Sequence, residues 1–303
     1  MGSWSLADMP DLSGTRAVVT GATSGIGTPT AAELALAGAE VILLGRSRTR
    51  LSATRESLEA VVPGAQFKEV IADLADLSSI RDAAERLADE GPLNLLVNNA
   101  GVLSSTYRTS ADGYELTMGT NYFGPFLLTG LLISQLAASG GGRVVTVASL
   151  GHRLAREAPL EDPRRQPKQY SMVRAYAASK LANLLFAFEL DRRLRETELP
   201  IRSVAAHPGY SATELIDKRG SRFGHRVLGP LLKRLAQPPD LGALPTLMAS
   251  TANVPGGTYV GPSGLGQVRG LPRIVTGSRL TQDPFAARSL WQMSEATVKV
   301  RYP

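Results

Sequence analysis

Tyr176 and Lys180 bracket the run Tyr176-Ala177-Ala178-Ser179-Lys180. On a helix, residues i and i+4 share a face, so the phenol and the ammonium become neighbours. A free tyrosine titrates at about pH 10, so near neutrality it stays protonated and exchanges its proton poorly. An adjacent cation favours the phenolate, so Tyr176 is expected to have a lowered pKa and to serve as a general acid or base. Ser149 closes the apolar run Val147-Ala148-Ser149, where its hydroxyl can donate a hydrogen bond to a substrate carbonyl. A tyrosine–lysine pair at this spacing also occurs as an ordinary surface pair. The serine, together with a glycine-rich stretch far upstream, favours the chemical reading.

That stretch is Thr20-Gly21-Ala22-Thr23-Ser24-Gly25-Ile26-Gly27. It follows the apolar run Ala17-Val18-Val19 and opens a helical segment near Thr28. A strand that turns on glycines into a helix presents bare backbone N–H groups and the positive end of the helix dipole, which suits a pyrophosphate. Gly21 permits the tight turn, Gly25 lets phosphate oxygens approach the main chain, and Gly27 lets helix and strand pack closely. Thr23, Ser24 and Ile26 complete the expected phosphate loop. Pro29 is tolerated because an N–H in the first helical turn has no intrahelical partner. The spacing is GxxxGxG rather than GxGxxG, which makes the turn one residue longer.

The second strand ends Leu43-Leu44-Gly45-Arg46-Ser47. A Rossmann half that binds NAD has an acidic residue there, bonded to the adenosine ribose. Glycine leaves room for a 2′-phosphate, and the Arg46 guanidinium can hold it with charge-assisted hydrogen bonds. NADP(H) is therefore expected over NAD(H). Asp73 and Leu74, just past the third strand, are placed beside the adenine. Asn98-Asn99-Ala100-Gly101 ends the fourth strand, where Asn99, Ala100 and Gly101 would border the cofactor. Asn121 falls inside a long helical segment; asparagine is a mediocre helix former, so it implies a kink, a bound water or a plain structural role.

These residues need a scaffold. Seven β-rich runs occur at 17–20, 40–44, 67–71, 93–98, 144–148, 203–207 and 258–260, most of them continuously apolar. Helical segments are expected at 28–37, 49–60, 78–88, 114–138, 175–195 and 241–250. Asp76 and Ser78 sit where an N-cap belongs, and Gly38, Gly91 and Gly140 follow helix ends. Strands alternating with helices predict a doubly wound α/β fold: a seven-stranded parallel sheet flanked by helices on both faces. One domain is expected over residues 1–303. Two segments break the rhythm. Residues 151–170 are polar and proline-punctuated, and residues 215–240 are basic and amphipathic. Both follow strands at the ligand-binding end and are expected to wall the substrate site, the alternative being surface embellishment.

The net charge is +6, and the basic groups are scattered rather than set in a stripe interleaved with aromatics, so nucleic acid is not an expected partner. The chain has no cysteine, which excludes disulfides and thiolate chemistry. Its histidines, His152, His207 and His225, lack metal-ligand spacing, and no metal is expected. No apolar run is long enough to span a bilayer, and the N-terminus lacks a signal pattern, so a cytoplasmic protein is expected.

TGATSGIG, NNAG, Asn121, Ser149 and YAASK, in this order, resemble the short-chain dehydrogenase/reductase family in its single-domain Rossmann branch. His207-Pro208-Gly209-Tyr210-Ser211-Ala212-Thr213 is similar to the family's PGxxxT segment. The resemblance implies NAD(P)-dependent interconversion of alcohols and carbonyls. It makes Tyr176 the general acid or base, Lys180 the ribose ligand that lowers its pKa, Ser149 the group that orients the substrate oxygen, and Asn121 the support of a water-linked proton relay. Pro208, Gly209 and Thr213 would hold the nicotinamide carboxamide, while nothing in the motif assigns His207 a role. Relatives are commonly dimers or tetramers, which implies a homo-oligomer. The stretch between Ser149 and Tyr176 is longer than in many relatives and resembles the retinol-dehydrogenase-like branch, which includes the WW-domain oxidoreductase and protochlorophyllide reductase. Trp4 and Ser179-Lys180-Leu181-Ala182-Asn183 point the same way. The expected substrate is thus an apolar ketone, aldehyde, retinoid-like or steroid-like molecule. A catalytically silent NADP(H)-binding regulator is the alternative. A nucleotide-sugar epimerase ranks last, because the chain beyond Thr213 is too short for its larger substrate domain.

Overall fold

Continuously apolar runs fold as parallel strands here, because a strand covered by helices on both faces has no side to show to water. The computed structural model describes residues 4–164, 166, 168–210 and 237–303. Strands β1 (Arg16–Thr20), β2 (Glu40–Gly45), β3 (Phe67–Ile71) and β4 (Leu95–Asn98) form the first half of the sheet. Strands β5 (Gly142–Val147), β6 (Ile201–Ala206) and β7 (Tyr259–Pro262) form the second, and all seven run parallel. The sheet has eight strands rather than the expected seven. β8 (Pro272–Ile274) pairs antiparallel with β7 at the edge, giving the order β3-β2-β1-β4-β5-β6-β7-β8. Three residues are too few to show a period, and their proline is one that an edge strand tolerates.

Within β1 the side chains alternate between two cores. Val18 joins one, and Ala17 and Val19 join the other. Helices α1 (Gly27–Leu36) and α2 (Arg48–Val61) cover the second face, with Leu34, Leu51 and Leu58 buried there. Helix α3 (Leu77–Asp89) covers the first through Ile80, Ala83, Ala84 and Leu87, and Asp76 caps it by accepting from the Ser78 and Ser79 amides. Trp4 is buried in the second core.

The single helix expected over 114–138 is interrupted. Helix α4 (Leu116–Met118) passes through a π-turn (Gly119–Phe123) into α5 (Gly124–Leu131) and then α6 (Ile133–Ala138). The π-turn contains Asn121, so of the alternatives its mid-helix position left open, a kink is the one that forms. Helix α7 (Met172–Glu196) starts earlier than its periodicity indicated, because Ser171 caps it by accepting from the Arg174 amide. Helix α8 (Pro239–Thr251) packs on the second face, and α9 (Pro284–Val298) on the first, where Trp291 stacks on Phe186 with ring centroids 5.8 Å apart. Among the described residues, no helix is long and apolar enough to cross a membrane.

The 151–170 segment opens with a 3-10 turn (Leu150–Leu154) and then runs irregularly. It is tied to the loop between β4 and α4. The Tyr170 hydroxyl donates to the Ser104 carbonyl at 2.9 Å, and the Arg164 guanidinium donates to the Tyr114 hydroxyl at 2.9 Å. Thr213 and residues 215–236 of the second irregular segment lie outside the described residues.

Candidate functional site

Between β1 and β4 the sheet changes its winding direction, and the crevice beyond the carboxyl ends of those strands is where open α/β sheets hold ligands. A cleft of about 230 Å³ lies there. It is lined by the expected residues Gly21, Thr23, Ser24, Gly25, Ile26, Arg46, Asp73, Leu74, Asn99, Ala100, Gly101, Tyr176, Lys180 and Pro208.

The floor is the glycine loop. Gly21 and Gly25 adopt φ of 65° and 59°, a left-handed conformation that side chains disfavour. A Cβ on Gly21 would come within 2.8 Å of the Ala100 Cα, and one on Gly27 would overlap the Gly21 carbonyl oxygen. Gly27 therefore serves the packing of α1 against the turn and does not face the cleft. The N-terminus of α1 carries no side-chain cap, so its dipole and amides are presented to the crevice. Asn99 locks the loop from β4: its Nδ2 donates to the Thr20 carbonyl at 2.8 Å. The Thr20 hydroxyl accepts from the Asn99 and Ala100 amides, both at 3.0 Å.

At one end of the cleft, β2 delivers Gly45 and Arg46. A Cβ on Gly45 would meet only ordinary contacts, the nearest at 3.4 Å, so internal packing does not demand glycine there. Arg50, one turn into α2, lines the same end and was missed by motif reading. Its signal was a further arginine in the first turn of α2, close after Arg46. Neither guanidinium has an ion-pair partner among the described residues. Asp73 holds its own loop, its carboxylate accepting from the Ala75 amide at 2.9 Å.

The opposite end holds the proton chemistry. Ser149 follows β5 and accepts the Gly151 amide on its hydroxyl oxygen at 3.0 Å. That bond occupies one lone pair and leaves the hydroxyl proton free to donate. The Ser149 side chain lies close enough to the Tyr176 phenol to pull its pKa down. Burial pushes the phenol the other way and holds it above its ordinary value. The lowering expected from the neighbouring ammonium is therefore not realised in this geometry, and desolvation wins. Lys180 Nζ sits 5.8 Å from the Tyr176 ring centroid and donates to the Val147 carbonyl at 2.9 Å. Lys180 is buried, and burial lowers its ammonium to about 8.

Asn121 does not line the cleft. Its Oδ1 accepts from the Val102 amide at 2.7 Å, and its Nδ2 donates to the Val102 carbonyl at 3.0 Å and to the Ser179 hydroxyl at 3.1 Å. It thus joins the π-turn, the loop after β4 and α7. Val102 and Thr120, which do line the cleft, were not foreseen; the Thr120 hydroxyl oxygen is buried and has no partner among the described residues.

Two buried histidines underlie the rim. The His207 Nδ1 accepts from the Gly209 amide at 3.1 Å, so Nε2 carries the proton toward the Gln267 Oε1, also at 3.1 Å. Burial, with smaller contributions from His152 and Arg153, drives the His207 imidazole down to about 4. His207 thereby shapes the Pro208-Gly209 turn, where Gly209 has a φ of 69°. Among the described residues no cluster of ligating side chains could hold a metal.

A nucleotide-binding Rossmann protein is the class this sheet and crevice define. The family model for short chain dehydrogenases matches residues 15–158. Human retinol dehydrogenase 13 is 35% identical over 297 residues, covering 96% of this chain and 86% of that protein. A crystal structure of an uncharacterised protein from Mycobacterium paratuberculosis superposes with a TM-score of 0.83 at 38% identity, covering 100% of both chains. A short chain dehydrogenase from Burkholderia cenocepacia, solved in complex with NADP, superposes at 0.62 and 26% identity, covering 82% of this chain and 96% of that one. The chain belongs to the short-chain dehydrogenase/reductase family, within its retinol-dehydrogenase-like group. It is an oxidoreductase of a family that acts on alcohols and carbonyls with NAD(P)(H).

Proposed function

We propose that the protein is an NADP(H)-dependent oxidoreductase interconverting a carbonyl and an alcohol on an apolar small molecule, a ketone or aldehyde of retinoid-like or steroid-like shape. The observation that carries this reading is the meeting of Tyr176 and Lys180, with Ser149 beside the phenol, at one end of a cleft whose other end presents Arg46 and Arg50. The residues fit a nicotinamide dinucleotide. Two left-handed glycines leave the main chain bare, the α1 terminus suits a pyrophosphate, and the orphaned Thr120 hydroxyl lacks a partner that a bound group would supply. Arg46 and Arg50 would hold a 2′-phosphate, which is the basis for preferring NADP(H).

Bound there, the nicotinamide supplies the hydride acceptor or donor. Ser149 donates a hydrogen bond to the substrate oxygen and fixes its position. Tyr176 gives that oxygen its proton in the reducing direction and takes it in the oxidising one. Its raised pKa keeps the phenol protonated at neutral pH, the form needed for carbonyl reduction. Lys180 adds positive charge beneath the phenol and stabilises it whenever it becomes a phenolate. The relatives named retinol dehydrogenase support an apolar substrate, as does the 151–170 segment, which walls the β4–α4 loop.

The test is a fluorescence titration with NADPH and NADH, followed by turnover on a panel of apolar ketones, aldehydes and alcohols. Tighter NADPH binding with oxidation by an apolar carbonyl is expected. Tight binding with no turnover across the panel would replace this reading with that of a nucleotide-binding regulator.

A further inference from the structure

The His152 imidazole is wholly buried and does not line the cleft, yet both ring nitrogens have directional partners. Its Nδ1 lies 2.6 Å from the Ser149 carbonyl oxygen, and its Nε2 lies 3.1 Å from the Ser278 amide nitrogen. A carbonyl can only accept and an amide N–H can only donate. Nδ1 therefore carries the proton and Nε2 the lone pair, which defines a neutral imidazole in one tautomer. Ser149 and Ser278 lie far apart in sequence, and the ring is the strut between them.

We infer that His152 is a positioning residue for Ser149, tying the serine's turn to the C-terminal segment at Ser278 and so holding the hydroxyl on Tyr176. The Ser149 carbonyl accepts twice from the same residue, from the His152 amide at 3.1 Å and from Nδ1. With its carbonyl clamped, the serine is left few conformations, and the Gly151 amide then claims one lone pair of its hydroxyl. Gly151 itself lies against the phenol; a Cβ there would come within 2.9 Å of the Tyr176 Cε1. A shift of the 149–152 turn thus moves the hydroxyl and presses on the phenol ring together.

The surroundings keep the strut neutral. Tyr259 packs edge-on at 6.0 Å between ring centroids, and it also contacts His207 at 5.2 Å. Arg153 is the adjacent cation, and it acts with burial to hold the His152 imidazole below its ordinary value. An imidazolium at this site would set an N–H against the Ser278 N–H and lose that bond.

The catalytic part of the inference rests on the alcohol–carbonyl reading; the structural part does not. His152→Phe removes both hydrogen bonds. His152→Asn keeps a donor near the Nδ1 position, and His152→Gln keeps an acceptor near the Nε2 position. For His152→Phe, kcat is expected to fall by about 10²-fold, the cost of displacing a reacting group by roughly an ångström, with the NADPH dissociation constant unchanged. His152→Asn should recover most of the loss and His152→Gln little of it. Hydrogen exchange at the Gly151 amide should quicken in the Phe and Gln variants and stay slow in Asn, whether or not any substrate turns over. Equal kcat in all variants would overturn the inference. So would a loss in kcat that parallels NADPH affinity without rescue by Asn, or Gly151 exchange indifferent to the Ser149-side bond. Should His152→Phe fail to fold, the Asn–Gln comparison decides by itself. If the wild-type protein turns over nothing, the proposed function fails and Gly151 exchange alone tests the strut.

Discussion

At single residues, burial works against charge most directly at Lys180, whose ammonium has the Val147 carbonyl as its one hydrogen-bond acceptor among the described residues. Its folded value of about 8 lies below the ordinary 10.5. Between those values the unfolded chain binds more protons, so stability rises with pH across that window and the charging penalty is complete below it. Lys180→Met should therefore stabilise the fold at pH 7 by up to roughly 3 kcal/mol. Asn183 still donates to the Val147 carbonyl, at 3.3 Å. Thermal unfolding checks this, and a lowered midpoint would contradict it; turnover and nucleotide affinity should both fall. Tyr176→Phe keeps the ring and removes the proton, so kcat should drop by roughly 10²–10⁴-fold while NADPH titration changes little. Arg46→Ala should weaken NADPH by about 1–3 kcal/mol more than NADH, and matching losses for the two cofactors would remove the phosphate argument.

At the element level, the site depends on where regular structure is broken. The π-turn exists at a position where Asn121 exchanges two hydrogen bonds with the Val102 main chain, binding the 99–102 loop to α7 through Ser179. Asn121→Leu leaves the Val102 amide and carbonyl without these partners, at about 1–3 kcal/mol for each group that stays buried. Urea unfolding should show the loss, and NADPH should bind more weakly as the loop against the glycine turn loosens. Wild-type behaviour in both assays would mean that the π-turn is held by its packing alone. A kink at Asn121 was one of the readings the sequence allowed, because asparagine is a mediocre helix former set in mid-helix. The asparagine's partner Val102 was not legible, because nothing in a valine advertises the use of its backbone.

For the molecule as a whole, two imidazoles buried beneath the sheet's carboxyl edge, His152 and His207, weaken the fold in acid. His207 has a folded value of about 4 against an ordinary 6.5. In that interval the unfolded chain takes up the proton first, so stability falls as pH drops from 6.5 toward 4, by roughly 3 kcal/mol from this residue. His152, also depressed by burial, adds in the same direction. Denaturation midpoints measured across the interval should decline, and a His207→Asn variant should decline less; a flat wild-type profile would refute the assignment.

The sequence by itself determined the strand–helix alternation, the glycine turn, the cap at Asp76 and the approach of Tyr176 to Lys180, since each is set by neighbours within a few residues. The tertiary structure alone decided the eighth strand, the placement of Arg50 at the cleft and the direction of the Tyr176 shift. It also decided the single tautomer of His152, whose partner Ser278 lies in a distant part of the chain. The physical reason is that periodicity and turn chemistry are local, whereas desolvation and a histidine's choice of tautomer depend on which remote segments close around a side chain.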